Sequence, residues 1–394
     1  MGRVARKLGR WALGLGALLW GAGRLWRWTG VGTLRRARSA QPGLGLVFEG
    51  GPDPQTTPAL LAALKAAGAQ ATFCFEAGAI ARAPALAQQA AAEGHDLRPF
   101  VTGGPLTPPW TLARRLRQAQ AELAALTSQP PGSFRAAAGV PALWVALMAG
   151  QTGLRPLAGQ GNLAQGRRPG ALLHLSGTDL QVARALPAHL TDLQARGYEV
   201  RALSGLRYLR PDTLRDIPAT ALQLVDVIYD RLGRIRRIGG HASSLFRVGT
   251  APYPLADITL PAPDQPAGLT LRRGQHVAEF HLDSARLVEL AERPVAGRRV
   301  VTHSIHDLAA ALRDDPDWQT LDAVFSISIF ADVLGIYGFT VVDLPPAHRR
   351  RLTWWSRTLR RAYGVSDPEK AHTPRLAVIA RTELLRRYGT RRGQ

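Results

Sequence analysis

Glu49 closes the apolar run Leu44 to Phe48 and is followed at once by Gly50, Gly51 and Pro52. A short buried run broken by Gly-Gly-Pro reads as a strand handing over to a functional loop. In β/α barrels the side chains that do chemistry sit where strands end, and Glu49 occupies such a place. Two further sets have the side chains of metal ligands. His281 and Asp283 share a strand face at period two, and His303, His306 and Asp307 fall at helical spacing. Hydrogen-bonded structural histidines are the commoner outcome for such sets. Cys74 is the only cysteine; within the apolar run Ala71 to Phe75 it reads as a small hydrophobe, and no disulfide or thiolate cluster is possible within one chain. The most basic aromatic stretch runs from Arg349 to Arg361 and includes Trp354 and Trp355. It fits an anionic membrane surface, sugar rings, nucleic acid, or a solvated helix with a tryptophan-lined inner face.

The elements that must position these residues alternate. From Gly43 to about Leu206, strand-like apolar runs alternate with helical ones, as an α/β barrel requires. Helices are expected over Thr57 to Ala69, Pro84 to Glu93, Thr111 to Leu126 and Pro187 to Ala195, with late strands at Gly170 to Leu175 and Gly197 to Leu203. After a connector at 207–217, a helix from Pro218 to Leu232 opens a second region. There Leu245 to Val248 and His276 to Leu282 alternate like strands, so this half reads as α+β.

At 394 residues, 46% hydrophobic and 20% charged, the chain has the composition of globular protein and room for two cores. Its net charge is +21, and Lys7, Lys65 and Lys370 are the only lysines. Such a field favours anionic partners such as phospholipid head groups or acidic wall polymers. The uncharged stretch Trp11 to Gly23 is flanked by arginines and is too short to span a bilayer, which needs about 20 residues. An uncleaved signal anchor, an interfacial helix and a signal peptide all fit, and the anchor is favoured because no small-residue cleavage site follows the apolar core.

Val47 to Pro54, followed by Thr57 and Pro58, resembles the first motif of the polysaccharide deacetylases with a NodB homology domain. Ala71-Thr72-Phe73, Pro84-Ala85-Leu86, Glu93-Gly94-His95-Asp96, Phe134-Arg135, Leu172-Leu173-His174 and Leu193 to Tyr198 follow in family order. The family's first motif is Thr-Phe-Asp-Asp-Gly-Pro-Asp-Pro, in which the first Asp is the catalytic base and the second a metal ligand. Those two places hold Glu49 and Gly50, and the two metal histidines fall on Phe100 and Gly104. By resemblance Arg135 orients the base, His174 stands in the place of the general acid, and Leu173 and Pro52 contact substrate. In the second half, Gly274 to Ser284 with Ile336 to Phe339 resembles the YkoP-like domain that accompanies some of these deacetylases.

The resemblance implies a distorted (β/α) barrel of NodB type at 41–206, preceded by a membrane segment at 1–40. A smaller α+β domain follows at 218–394. With the expected metal ligands replaced, no cofactor is expected, and zinc or another divalent metal would need a relocated site. His95, Asp96 and Asp53 lack ligand spacing for one. The leading function is a pseudoenzyme that binds or organises cell-envelope polysaccharide at the membrane, with its bulk outside the cytoplasm. An active N-deacetylase with an altered centre (Glu49, Arg135, His174) and a membrane-surface scaffold are the alternatives. Neither a zinc finger nor a phosphate loop supports nucleic-acid binding, and oligomeric state is not legible.

Overall fold

The structure, a computed structural model, describes residues 21–38, 42–127, 130–159, 169–218, 220–221, 230–231, 233–239, 241–242, 244–282, 294–362 and 373–390. The chain divides into two units, Met1–Arg215 and Asp216–Gln394.

The first unit is built on β1 (Gly43–Glu49), whose residues are buried up to Phe48. Burial on both faces is what a continuous Leu/Val/Phe run without alternation requires, and it suits a parallel strand. The others are β2 (Thr72–Phe75), β3 (Asp96–Val101), β4 (Ser133–Ala136), β5 (Arg155–Pro156), β6 (Leu172–Ser176) and β7 (Glu199–Arg201). They form one sheet in the order β5-β4-β3-β2-β1-β6, with β7 also paired to β1, and every pairing is parallel.

Helices α1 (Thr57–Ala66), α2 (Ala77–Arg82), α3 (Pro84–Ala92), α4 (Pro109–Leu126), α5 (Ala142–Thr152) and α6 (Leu180–Ala195) connect the strands. In α4 the buried Leu112, Leu116, Ala119 and Leu123 recur at helical spacing, so one stripe faces the core. This is a parallel (β/α) arrangement, as the resemblance implies.

Some expectations shift. Helix α6 begins at Leu180 rather than Pro187, because the Asp179 carboxylate caps it by accepting from the Gln181 amide at 2.7 Å. Its buried Ala183, Leu186, Leu190 and Leu193 run straight past Pro187. Helices α2 and α5 were not anticipated; α5 is apolar nearly all round and shows no clear stripe in sequence. More consequential is the stretch 31–38, assigned from sequence to the membrane segment. Val31 and Leu34 bridge to Asp212 and Leu157, while Arg36 and Ala37 bridge to Ala171 and Leu209. Arg38 pairs with the buried Asp212 at 2.9 Å. This stretch and the connector around 209–212 are therefore part of the barrel wall. Residues 21–29 are helical, no helix among the described residues is long and apolar enough to cross a membrane, and residues 1–20 lie outside the described residues.

The second unit is α+β. Strands β8 (Arg236–Arg237), β9 (Phe246–Pro252), β12 (His276–Leu282), β13 (Ala323–Ser328), β14 (Thr340–Val342) and β15 (Arg375–Ala380) form a sheet in the order β14-β15-β13-β12-β9-β8. Only β12 and β13 pair in parallel. Strand β15 shows why it has two cores: Ala377 and Ile379 face one with Phe246, Phe280 and Leu308, while Leu376 and Val378 face another with Tyr253 and Phe325. Helices α7 (Pro294–Asp314), α8 (Ala331–Ile336) and α10 (Arg381–Tyr388) supply the first core. The hairpin β10 (Ile258–Ala262) and β11 (Gln265–Leu271) and Leu352 of α9 (Pro346–Ala362) supply the second. The helix expected at Pro218 to Leu232 lies mostly outside the described residues, as does Asp283.

Trimming the chain to residue 21 is expected to leave thermal stability of the first unit unchanged, whereas trimming to residue 39 removes Leu34, Ala37 and the Arg38–Asp212 pair. A drop in Tm of about 5 °C or more on the second cut only, read by calorimetry, is the expected result. Equal melting of the two would show that 31–38 is not part of the wall.

Candidate functional site

Three side chains converge at the strand ends of the first unit. Glu49 ends β1, opposite Cys74 of β2 and Ser176 of β6. Arg135 lies on β4 and His174 on β6. The Arg135 Nε donates to Glu49 Oε1 at 2.7 Å, and the Arg135 guanidinium also donates to the Leu157 carbonyl at 2.9 Å. His174 Nδ1 lies 2.8 Å from the same Glu49 Oε1. Side-chain exposure is 20% for Glu49, 19% for Arg135 and 3% for His174.

The charge states follow from these contacts. Burial pushes the Glu49 carboxyl up, but the His174 hydrogen bond and the Arg135 charge outweigh it, and the group titrates below its ordinary range. Burial lowers His174, and the Arg135 charge adds to this, overcoming the opposing Glu49 contact. The state that satisfies both is an ionised Glu49 accepting from the Nδ1–H of a neutral His174. His174 Nε2 is then left with a lone pair, buried and without a hydrogen-bond partner among the described residues. Gly159 explains the burial: a Cβ there would come within 2.3 Å of both Cδ2 and Nε2 of the ring. A general acid must reach the leaving group, and this imidazole faces inward. The role that the resemblance implies for His174 is not available in this geometry.

The two residues expected to touch substrate are both buried. Leu173 is 1% exposed and Pro52 is buried. Leu173 adjoins His174 in sequence, but period two turns it to the opposite face of β6. His95 and Asp96 stand at the other end of β3. His95 Nδ1 accepts from the Ala71 amide, and the Asp96 carboxylate holds the amide and hydroxyl of Ser204, each at 2.8 Å. Asp53 accepts from the amides of Gln55 and Thr56, ordering the turn before α1.

Glu76 and Thr102 were missed. Glu76 follows β2 directly, as Glu49 ends β1, and its carboxylate accepts from the Thr102 hydroxyl at 3.3 Å. The strand-end rule that singled out Glu49 applies equally to Glu76. Nothing in the sequence marks Gly159.

The histidine sets of the second unit are held structurally. His281 lies 3.5 Å from Glu279, and His306 Nδ1 lies 3.0 Å from the Tyr388 carbonyl. His303 lies 3.6 Å from Asp307, whose carboxylate also accepts from the Ser244 hydroxyl. Among the described residues, no three His, Cys, Asp or Glu side chains are grouped to hold a metal ion.

Comparison with known families agrees with this architecture. Residues 37–157 match the polysaccharide deacetylase family model, and residues 215–388 match the YkoP domain model. The chain carries a polysaccharide deacetylase domain followed by a YkoP domain. Solved structures similar to the deacetylase domain include a CE4 family pseudoenzyme from Bacillus anthracis (17% identity, TM-score 0.39, covering 44% of this chain and 68% of that one). A family 4 carbohydrate esterase from the same organism aligns at 21% identity and TM-score 0.39, covering 44% and 86%. One from Bacillus subtilis aligns at 18% and 0.40, covering 47% and 88%. None of the curated proteins searched matches the chain.

The divalent metal of this family does not fit the residues present. Gly50 has no side chain and sits at φ +92° with Thr178 against it. Phe100 is 8% exposed and packs with Val47, Cys74 and Leu157, and Gly104 offers only backbone. Neither hydrogen nor phenyl can donate an electron pair to a cation.

The polar knot of the deacetylase domain should make its stability fall in acid. His174 is depressed on folding, so its contribution is lost as pH falls below the ordinary imidazole value of 6.5; that of Glu49 is lost below 4.5. Buried His95 acts in the same direction as His174. In urea titrations from pH 8 to 4, His174→Gln is expected to flatten the slope between pH 6.5 and 5 relative to the parent. Glu49→Gln should flatten it only below pH 4.5. Superimposable slopes for parent and His174→Gln would show that the imidazole is not held neutral.

Proposed function

We propose that the deacetylase domain is a pseudoenzyme that binds cell-envelope polysaccharide through its strand-end mouth. The observation that carries this reading is Glu49 itself: an ionised carboxylate with Oε1 engaged by Arg135 and His174 and, among the described residues, belonging to no group of three metal-ligating side chains. A carboxylate held this way is a fixed acceptor for a sugar hydroxyl or amide N–H, and charge-assisted bonds of that kind are roughly twice as strong as neutral ones.

The same knot is poorly suited to hydrolysis. Amide cleavage needs a stabilised oxyanion and a proton for the leaving amine. Gly50, Phe100 and Gly104 supply no Lewis acid, and His174 presents no exposed N–H. The reading extends to location: the basic and apolar N-terminal stretch serves as a membrane anchor, with the bulk outside the cytoplasm, where the polymer is found.

The test pairs binding with turnover. Soluble chito-oligosaccharides and peptidoglycan fragments are titrated calorimetrically into the full chain, and acetate release is followed with and without added zinc, cobalt or nickel. Binding without acetate is expected, with Glu49→Gln weakening it about tenfold. Acetate release above the buffer rate that is lost in Glu49→Gln would establish instead an active N-deacetylase with an altered centre. No binding to either glycan would leave the scaffold reading in its place.

A further inference from the structure

Three neighbouring elements on one flank of the first unit expose apolar side chains. Helices α4 and α5 pack together over one core that holds Leu112, Leu116, Trp144 and Met148. The helix at 21–29 leans on α5, since a Cβ at Gly23 would lie 3.5 Å from that of Ala142. Leu106, in the loop before α4, is 97% exposed, and Trp110 in its first turn is 69% exposed. Leu147 of α5 and Leu25 and Trp28 of the 21–29 helix are exposed as well. Elsewhere in this unit, only Leu180, Tyr208 and Leu214 are large, apolar and exposed among the described residues.

These side chains point away from the barrel. In α4, Trp110, Arg114 and Arg117 follow at i, i+4 and i+7, roughly 120 to 180 degrees round from the stripe of Leu112, Leu116 and Leu123. All three are exposed. In α5, Leu143, Ala146, Leu147 and Gly150 form the side opposite the core, and a Cβ at Gly150 would meet open space. In the 21–29 helix, Leu25 and Trp28 stand roughly 140 to 160 degrees round from Gly23. No acidic residue occurs in 21–38, 109–120 or 142–152, whereas Arg27, Arg114 and Arg117 are exposed.

We infer that this flank is a lipid-contact face that lies on an anionic bilayer, with Trp28 and Trp110 at head-group level and Arg27, Arg114 and Arg117 on lipid phosphates. The inference rests on the membrane location proposed above and is independent of the polysaccharide reading. Chain length argues for it: the uncharged stretch Trp11 to Gly23 is too short to span a bilayer and suits its interface. From Trp20 to Gly23 is a step of three residues (23 − 20), at most about 11 Å of extended chain, so α5 stays close to whatever holds that stretch. Chemistry argues the same way. Tryptophan is enriched at membrane interfaces, and guanidinium matches phosphate while its stem lies along apolar surface. A second copy of the flank would meet arginine with arginine and no carboxylate between, which disfavours self-association there. Because Leu106 and Trp110 follow the end of β3, the contact also sets the strand-end mouth beside the bilayer.

The experiment uses the full chain with one environment-sensitive label. Leu106→Cys and Leu147→Cys are each labelled with bimane; Cys74 is fully buried and its thiol is pushed up to about 12, so it stays unreactive. Leu180→Cys, exposed on α6, is the control; α6 packs on α1 and not on this flank. Each is mixed with vesicles of phosphatidylcholine alone or with about 30% phosphatidylglycerol, enough for a strongly negative surface. The expected result is co-sedimentation with anionic vesicles, with a blue shift and quenching by lipid-borne bromine at 106 and 147 and no change at 180. Arg114→Gln combined with Arg117→Gln should abolish the preference of the 106 label for anionic over neutral vesicles.

Co-sedimentation with no change at 106 and 147, or with equal changes at 180, overturns the inference and leaves the N-terminal anchor standing. Absence of co-sedimentation overturns the membrane location and the inference with it. Label shifts without lipid that grow with protein concentration would assign the flank to a second copy of the chain instead.

Discussion

Placing a carboxylate inside a barrel mouth demands compensation, and the first unit is arranged around meeting that demand at Glu49. A buried charge with one partner removed is among the costlier defects a fold can carry. Here two donors meet one oxygen, from strands on different sides of β1. Strands β4 and β1 stand three strand spacings apart, roughly 14 Å on a flat sheet, farther than an arginine side chain reaches. The Arg135–Glu49 contact therefore requires the sheet to be curled. Because the same guanidinium bonds the Leu157 carbonyl, the curl is fastened at β5 as well. Loss of the knot would loosen a barrel edge and not merely a site.

How much of this was legible depended on whether the signal was local. An apolar run cut off by Gly-Gly-Pro is local, and β1 and the position of Glu49 could be read from it. So could the cap at Asp53, whose spacing to Thr56 is that of a turn. Contacts across the chain were not. Arginine-rich residues 31–38 look like the flank of a membrane segment because charge is what a sequence displays. Their pairing with 157, 171, 209 and 212 is tertiary. Leu173 shows a different failure: the resemblance implied a substrate contact there, although in a strand the residue beside His174 lies on the opposite face.

The inward turn of His174 has the same origin. Nothing in Leu172-Leu173-His174 distinguishes an imidazole offered to solvent from one sealed under backbone. The difference is made by Gly159, 15 residues earlier in number (174 − 159), whose lack of a side chain lets main chain lie on the ring. A histidine with a buried, lone-pair Nε2 cannot exchange protons readily with bulk water. In the tautomer that donates from Nδ1 it helps to hold Glu49 ionised, which is a positioning contact.

Phe100 shows what an imidazole in its place would cost the fold. The ring is nearly buried and packs with Val47, Cys74, Leu157 and Ala37, so it contributes to the hydrophobic contact between the strand layer and the wall formed by 31–38. Replacing it with imidazole would remove apolar burial and leave a polar ring needing a partner, before any ligand was gained. At Gly50 a side chain would have to adopt a positive φ against Thr178. Phe100 and Gly50 thus have packing and backbone roles that conflict with ligation, whereas a Cβ at Gly104 would meet open space. The packing that Phe100 provides and the backbone that Gly50 provides are thus part of what keeps the barrel folded, while Glu49, being already paired, is stable as a charge and available as an acceptor.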